Sequence, residues 1–357
     1  MPVQSNKNFY QGQKIYIGID VHARQWHVYA CPCAGLGVRA VTMPPSAEAL
    51  KTYLQNHYPG GEYHSAYESG FCGFRVHRDL LAAGIENIVF NASDLKKSQK
   101  EQLRKTDAVD CKAIWENLIK GNLTAVFVPT LRQEGNRELI RTRESLVNDM
   151  RRTKQRVKMF LHRINVNIPE NISASWSKNF IEWLSELADS LEGGFSWKLH
   201  TLISTYNHQN MQLKELYKEI IAVINREYSE ISSLLITIPG VGRLLASKLL
   251  LELMDLSRFA DARHLAGYIG LVPDCKISDQ KEAILGVSIR KNSILRSALI
   301  EASWVAIRMD PALGSTFLNY RRRGVHPNVA IVSIARKLVN RLFYVIRTGR
   351  PYVKSTK

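Results

Sequence analysis

The sequence predicts an α/β domain followed by a mostly α-helical remainder, and three observations carry that reading. Over roughly the first 125 residues, short apolar runs of strand length alternate with patterns of helical period. Beyond them the apolar residues recur almost only at helical spacing. No stretch approaches ~18 uninterrupted apolar residues, which excludes a membrane-spanning helix.

The elements follow in order. Lys14 to Asp20, KIYIGID, alternates and ends in an acid, as a strand with an aspartate at its C-terminal end would. Trp26 to Ala30 follows within hairpin range, and Tyr63 to Glu68 is a third strand that also ends in an acid, two residues before Gly70. Phe71 to Ala83 reads as a helix and Asn87 to Phe90 as a strand. Thr106 can cap a helix running to Lys120, with Val109, Ala113, Ile114 and Leu118 as its apolar stripe. Two long helices are expected in the middle, Glu138 to Val166 and Leu213 to Leu234, able to pair as an antiparallel coiled coil or to mediate self-association. In the last third, Pro239-Gly240-Val241-Gly242 separates two helices by a tight, helix-hairpin-helix-like turn, whose N–H groups can meet a phosphate. An irregular polar segment is expected from Pro273 to Lys281, then a basic helix from Ile289 to Arg308 and an amphipathic one from Val329 to Ile346. The boundaries implied are 1–125, 126–234 (a linker and oligomerisation region) and 235–357.

Composition narrows the function. The 357 residues hold 49 Lys and Arg against 32 Asp and Glu, a net charge of +17. From Gly286 to Lys357 there are 14 basic residues and 2 acids; from Leu131 to Arg163, 10 and 4. Runs of one sign repel themselves unless an anion usually sits nearby, which points to nucleic acid. Five scattered cysteines make no disulfide framework, and Cys31-x-Cys33 lacks the second pair a zinc site needs, so a reducing cytoplasm is the expected home.

Four acids stand out by position. Asp20 and Glu68 end strands, where side chains reach an open sheet edge. Asp107 and Asp110 are three apart on one helix face. Gathered carboxylates are hard oxygen ligands of the kind Mg²⁺ uses when it clamps a phosphate. Taken singly, each acid also has an ordinary structural role, as a turn residue or a helix-dipole partner.

These residues resemble a known family. Ile17-Gly18-Ile19-Asp20-Val21, Tyr67-Glu68-Ser69-Gly70 and Lys105-Thr106-Asp107-Ala108-Val109-Asp110 are similar to the three acidic motifs of the DEDD transposases, insertion-sequence recombinases related to the Piv invertases. Ile238 to Gly242, Phe259 to Pro273 and Leu295 to Ala302 look like that family's second transposase domain. The resemblance implies a ribonuclease H-like (RuvC-like) N-terminal domain in which Asp20, Glu68, Asp107 and Asp110 bind Mg²⁺ or Mn²⁺. It places a nucleophilic serine at Ser278, with Ser288 and Ser293 as alternatives, because family members commonly follow the serine with glycine whereas Asp279 stands here. It implies donor and target DNA as partners, with a structured guide RNA for some relatives, a homodimer or homotetramer, and a bacterial, nucleoid-associated setting. Lys276, Lys281, Arg290, Lys291, Arg296 and the Arg321-Arg322-Arg323 triplet are the expected nucleic-acid contacts. A serine attack on a phosphodiester conserves the bond energy, so strand exchange would need no ATP. The rival readings are a RuvC-type junction nuclease that uses water, and an inactive nucleic-acid-binding scaffold.

Overall fold

A computed structural model describes residues 10–32, 40–95, 107–278, 281–287 and 292–354. The chain divides into two compact units, Met1–Val128 and Pro129–Lys357.

The first unit is built on a five-stranded mixed sheet: β1 (Lys14–Val21), β2 (Trp26–Pro32), β3 (Val41–Met43), β4 (Glu62–Glu68) and β5 (Glu86–Phe90). The spatial order is β3-β2-β1-β4-β5, with the first three strands antiparallel and β4 and β5 parallel to β1. Alternation along β1 gives the two faces different work. Ile15, Ile17 and Ile19 join Leu50, Leu54 and Leu80 from α1 (Ala47–His57) and α2 (Arg75–Ala82) in the main core. The opposite face receives α3 (Asp107–Ile119), whose Cys111 and Trp115 pack with Tyr29 and Cys31, and whose Ile114 meets Ala66 and Phe90. The expected strands and the 106–120 helix are therefore present, although Thr106 lies outside the described residues. The helix expected from Phe71 starts later, at Arg75. Gly73 takes a φ of +56°, and the Tyr67 hydroxyl donates to its carbonyl at 3.0 Å, so the chain turns there before it can coil.

Among the described residues the second unit is helical apart from one β-hairpin. Its long helices are α4 (Leu131–Arg163) and α6 (Gly193–Glu227), with α5 (Lys178–Ser190) between them. Thr130 and Gln133 close a capping box that starts α4. The pair runs antiparallel within the chain. At one end Arg132 meets Glu227 at 2.8 Å and Asn136 donates to the same carboxylate at 3.0 Å; at the other, Val157, Phe160 and Leu161 pack with Leu199 and Ile203. The helix expected to run to Leu234 breaks at Tyr228 and restarts as α7 (Ser229–Ile236).

The remaining elements are α8 (Arg243–Leu253), α9 (Ala262–Ile269), the strands β6 (Pro273–Ser278) and β7 (Lys281–Val287), α10 (Ser293–Met309), α11 (Pro311–Arg322) and α12 (Pro327–Thr348). The hairpin corrects the expectation of an irregular segment after Pro273: PDCKIS has too few apolar residues for an alternation to register, yet it pairs antiparallel with β7. Between α7 and α8, Gly240 has a φ of +85°, and a Cβ there would strike the Ala302 carbonyl of α10. Close helix packing therefore accounts for the first glycine of that turn. Among the described residues no helix is long and apolar enough to cross a membrane.

Candidate functional site

Parallel pairing of β1 and β4 sets Ile19 opposite Tyr67, so Asp20 and Glu68 follow side by side at the C-terminal edge of the sheet. Both fall on the face opposite to Ile19 and Tyr67, the face that α3 covers. Gly18 allows this. A Cβ at Gly18 would strike the Cys111 carbonyl and lie 2.6 Å from the Trp115 nitrogen, so the helix backbone rests directly on β1. Trp115 fixes the seat by donating Nε1–H to the Cys31 carbonyl at 3.2 Å. The close approach seats the N-terminal half of α3, which begins at Asp107 and includes Asp110, against β1, the strand that carries Asp20. The side chain of Asp107 lies outside the described residues.

The Cys111 thiol registers the result. Its pKa is pushed up to about 12, first by burial and then by the negative charge of Asp20, with Asp110 adding to it. Two of the four acids thus act on one buried thiol, which stays neutral. Asp20 is a quarter exposed and its Oδ2 lies 3.2 Å from His22 Nε2, while Glu68 is exposed. Ser65 of β4 donates to Asn87 of β5 at 2.8 Å, and Asn87 Nδ2 lies 2.8 Å from Nδ1 of His77 in α2, whose pKa burial lowers. Asp20 and Glu68 are therefore side by side at one edge, and Asp20 and Asp110 both act on Cys111. Among the described residues, no three His, Cys, Asp or Glu side chains form a cluster able to hold a metal ion. The donors are hard oxygens, the type that Mg²⁺ and Mn²⁺ take.

In the second unit, Ser278 is the last residue of β6 and pairs in register with Lys281. It therefore sits at the tip of the hairpin; the side chains of Lys276, Ser278 and Lys281 lie outside the described residues, as do Ser288, Arg290 and Lys291. The hairpin's base is tied down. Arg336 donates Nε–H to the Leu271 carbonyl before it. After it, the Asn292 N–H donates to the Tyr268 carbonyl at 3.3 Å, and the Asn292 side chain caps α10 at Leu295. Asn292 Nδ2 also donates to Glu252 at 2.8 Å, and Arg141 Nε to the other oxygen of Glu252 at 3.1 Å. Glu252 is fully buried.

Sequence reasoning missed Gly18, Arg141, Glu252 and Asn292. A lone carboxylate within the apolar run from Leu244 to Leu253 is the one signal that could have pointed to Glu252. Ser293 opens α10, exposed in a cleft of about 370 Å³ that Arg143, Arg151 and Lys248 also line. Arg296 is half-buried, and Arg321, Arg322 and Arg323 are exposed at the end of α11, with Arg321 Nη1 donating to the Val325 carbonyl at 2.6 Å.

Two family profiles match the chain, and several relatives are similar to it. Residues 17–166 match a family profile for transposases of the DEDD, IS110 type, and residues 232–318 match the profile of the transposase IS116/IS110/IS902 family. The chain is 24% identical to the transposase for insertion sequence element IS1533 of Leptospira borgpetersenii, over 95% of this chain and 97% of that one. It is 35% identical to the pilin gene-inverting protein of Moraxella bovis over 41% of this chain and 47% of the relative. It is 26% identical to the transposase for insertion sequence element IS1111A of Coxiella burnetii over 66% and 64% of the two chains. The chain thus spans about half to two thirds of the length of the latter two. These matches make the chain similar to transposases of insertion sequences. The similarity is to DEDD transposases of the IS110 type, each profile covering less than half of the chain.

Proposed function

We propose that this protein cuts and rejoins DNA as the recombinase of an insertion sequence, with a ribonuclease H-like N-terminal unit. The observation that supports the reading is the pairing of β1 with β4, which sets Asp20 beside Glu68, together with the seating of α3 on Gly18 of the same strand. Asp20, Glu68, Asp107 and Asp110 would hold Mg²⁺ or Mn²⁺, which when bound acidifies a nucleophile and offsets charge on the phosphate. His22, 3.2 Å from the Asp20 Oδ2, orients that carboxylate. Ser278 at the hairpin tip supplies the nucleophile. Its Oγ gives up its proton as it bonds to phosphorus, the bond from phosphorus to one sugar oxygen breaks, that oxygen takes up a proton, and the energy is kept in the phosphoserine link for rejoining. The basic residues of the second unit, Arg296 and Arg321 to Arg323 among the described ones, grip nucleic-acid backbones. Sequence reading is then left to a structured guide RNA that pairs with donor and target DNA. The working assembly is a homodimer or homotetramer.

The test is strand cleavage of DNA carrying the element's own junction, with Mg²⁺ and the adjacent non-coding RNA. Asp20→Asn, Glu68→Gln and Asp110→Asn should each abolish cleavage while nucleic-acid binding persists. Full cleavage by any of the three would remove the acidic edge from the mechanism.

A further inference from the structure

The end of α12 and the segment after it enclose a cleft of about 720 Å³ that the acidic edge and the serine hairpin leave unexplained. We propose that this cleft binds single-stranded nucleic acid, one unpaired base stacking on Tyr344 and the adjoining phosphates meeting Lys337 and Arg350. The inference rests on the reading of the protein as a DNA recombinase and adds a specific strand-binding site to it.

The cleft is made by a turn and a strap. Gly349, with a φ of +63°, ends α12 in the left-handed conformation, and Arg350 to Val353 fold back along the helix. The strap is held at Tyr352. Its N–H donates to Thr237 Oγ1 at 2.8 Å, and its hydroxyl donates to Asp310 Oδ2 at 2.6 Å. Asp310 is fully buried, and it also accepts from the N–H groups of Ala312 and Leu313 at 3.0 and 3.2 Å. Arg341 completes the network: its Nε donates to the Tyr352 hydroxyl at 3.0 Å and stands 3.6 Å from Asp310. A buried carboxylate fully engaged in this way fixes the strap on the helix. The cleft is thus a pre-formed feature of the fold.

Its chemistry selects the occupant. The lining includes Lys337, Arg341 and Arg350 and no acidic residue. Asp310 offsets Arg341 from below, which leaves the charge of Lys337 and Arg350, both exposed, unanswered among the lining residues. Beside these cations Tyr344 is 56% exposed. An aromatic face flanked by cations is what a polynucleotide strand needs, because the charges track the backbone and the ring takes a base face. A duplex hides its base faces in the stack, so the ring calls for an unpaired nucleotide. The volume falls within the range of ordinary ligand pockets.

The test uses the full chain, a labelled 12-nucleotide oligothymidine and a labelled 20-bp duplex, with affinity measured across a salt series. Tyr344→Ala should weaken oligothymidine binding by roughly 10- to 100-fold and leave duplex binding unchanged, whereas Tyr344→Phe should bind as wild type. Lys337→Ala combined with Arg350→Ala should lower the salt slope on the oligonucleotide by about 1.4, at ~0.7 per phosphate contact. Thermal melting of all variants should match wild type, since the substituted side chains are exposed. Wild-type affinity of Tyr344→Ala for oligothymidine, or an equal loss on both probes, would overturn the inference and leave the recombinase reading standing. A wild-type protein that binds neither probe would overturn both.

Discussion

Gly18→Ala is the sharpest perturbation of the acidic edge, because it touches none of the acids. The added Cβ would strike the Cys111 carbonyl and stand 2.6 Å from the Trp115 nitrogen, whereas ordinary contact begins at 3.4 Å. α3 must therefore retreat from β1 by about 0.8 Å or more at Trp115. The retreat is resisted by the Trp115 Nε1 bond to the Cys31 carbonyl and by the Tyr29 and Trp115 rings, whose centroids are 5.0 Å apart. Overpacking of this kind costs about 1–3 kcal/mol. For a unit of this size that lowers the melting midpoint by roughly 5–15 °C. Asp110 adjoins Cys111 and moves with it, away from Asp20. A misplacement near 1 Å can reduce a positioned reaction about 100-fold. The assay pairs a thermal melt with metal-dependent strand cleavage well below the melt. Gly18→Ala should melt early and cleave about 100-fold more slowly, with nucleic-acid binding intact. Wild-type melting and cleavage together would refute the account of how α3 is seated.

Other substitutions probe the second unit. Gly135 lies inside α4 with nothing within 4 Å of a built Cβ, so Gly135→Ala should stabilise the protein by about 0.5–1 kcal/mol in a denaturant titration. Arg141→Met leaves the buried Glu252 carboxylate with its 2.8 Å bond from Asn292, and should cost about 3 kcal/mol in the same titration. Replacing Arg321, Arg322 and Arg323 together by Ala should lower the salt slope of duplex binding by up to about 2.7, at ~0.9 per phosphate. An unchanged slope would reduce the triplet to a solvated helix end. Iodoacetamide at pH 8 should leave Cys111 unmodified in the folded protein, since the buried thiol, with its pKa raised to about 12, carries almost no thiolate.

The strands that carry Asp20 and Glu68 and the helix that carries Asp107 and Asp110 are legible because strand ends and helix starts carry local signals. KIYIGID and YHSAYE announce both the strands and the acids that end them, and Asp107 and Asp110 declare a shared helix face by spacing alone. What makes the edge was not legible. The need for glycine at position 18 arises from a helix about 90 residues further along the chain, and no local pattern in IGID records it. The same holds for Glu252, whose partners Arg141 and Asn292 come from α4 and from the base of the hairpin. The strand β3 and the helices α1, α5 and α11 went unread: β3 is three residues long, and the helices are short, so each depends on packing as much as on its own period. The hairpin bearing Ser278 departs from the irregular segment expected there because half of its first strand is polar, and pairing with the strand just after it overrides that bias.

The central claim, that this protein breaks and remakes DNA through Ser278, is tested most directly by trapping the joined species. The protein is incubated with Mg²⁺, the guide RNA and a labelled DNA carrying its own junction, then boiled in detergent, and the adduct is mapped by mass spectrometry. Wild type should retain label on a peptide containing Ser278, and Ser278→Ala should lose both the adduct and strand exchange while binding DNA normally. Label on Ser288 or Ser293 would move the nucleophile and keep the mechanism. Complete cleavage by wild type with no adduct at all would contradict the account and assign the acidic edge to hydrolysis by water.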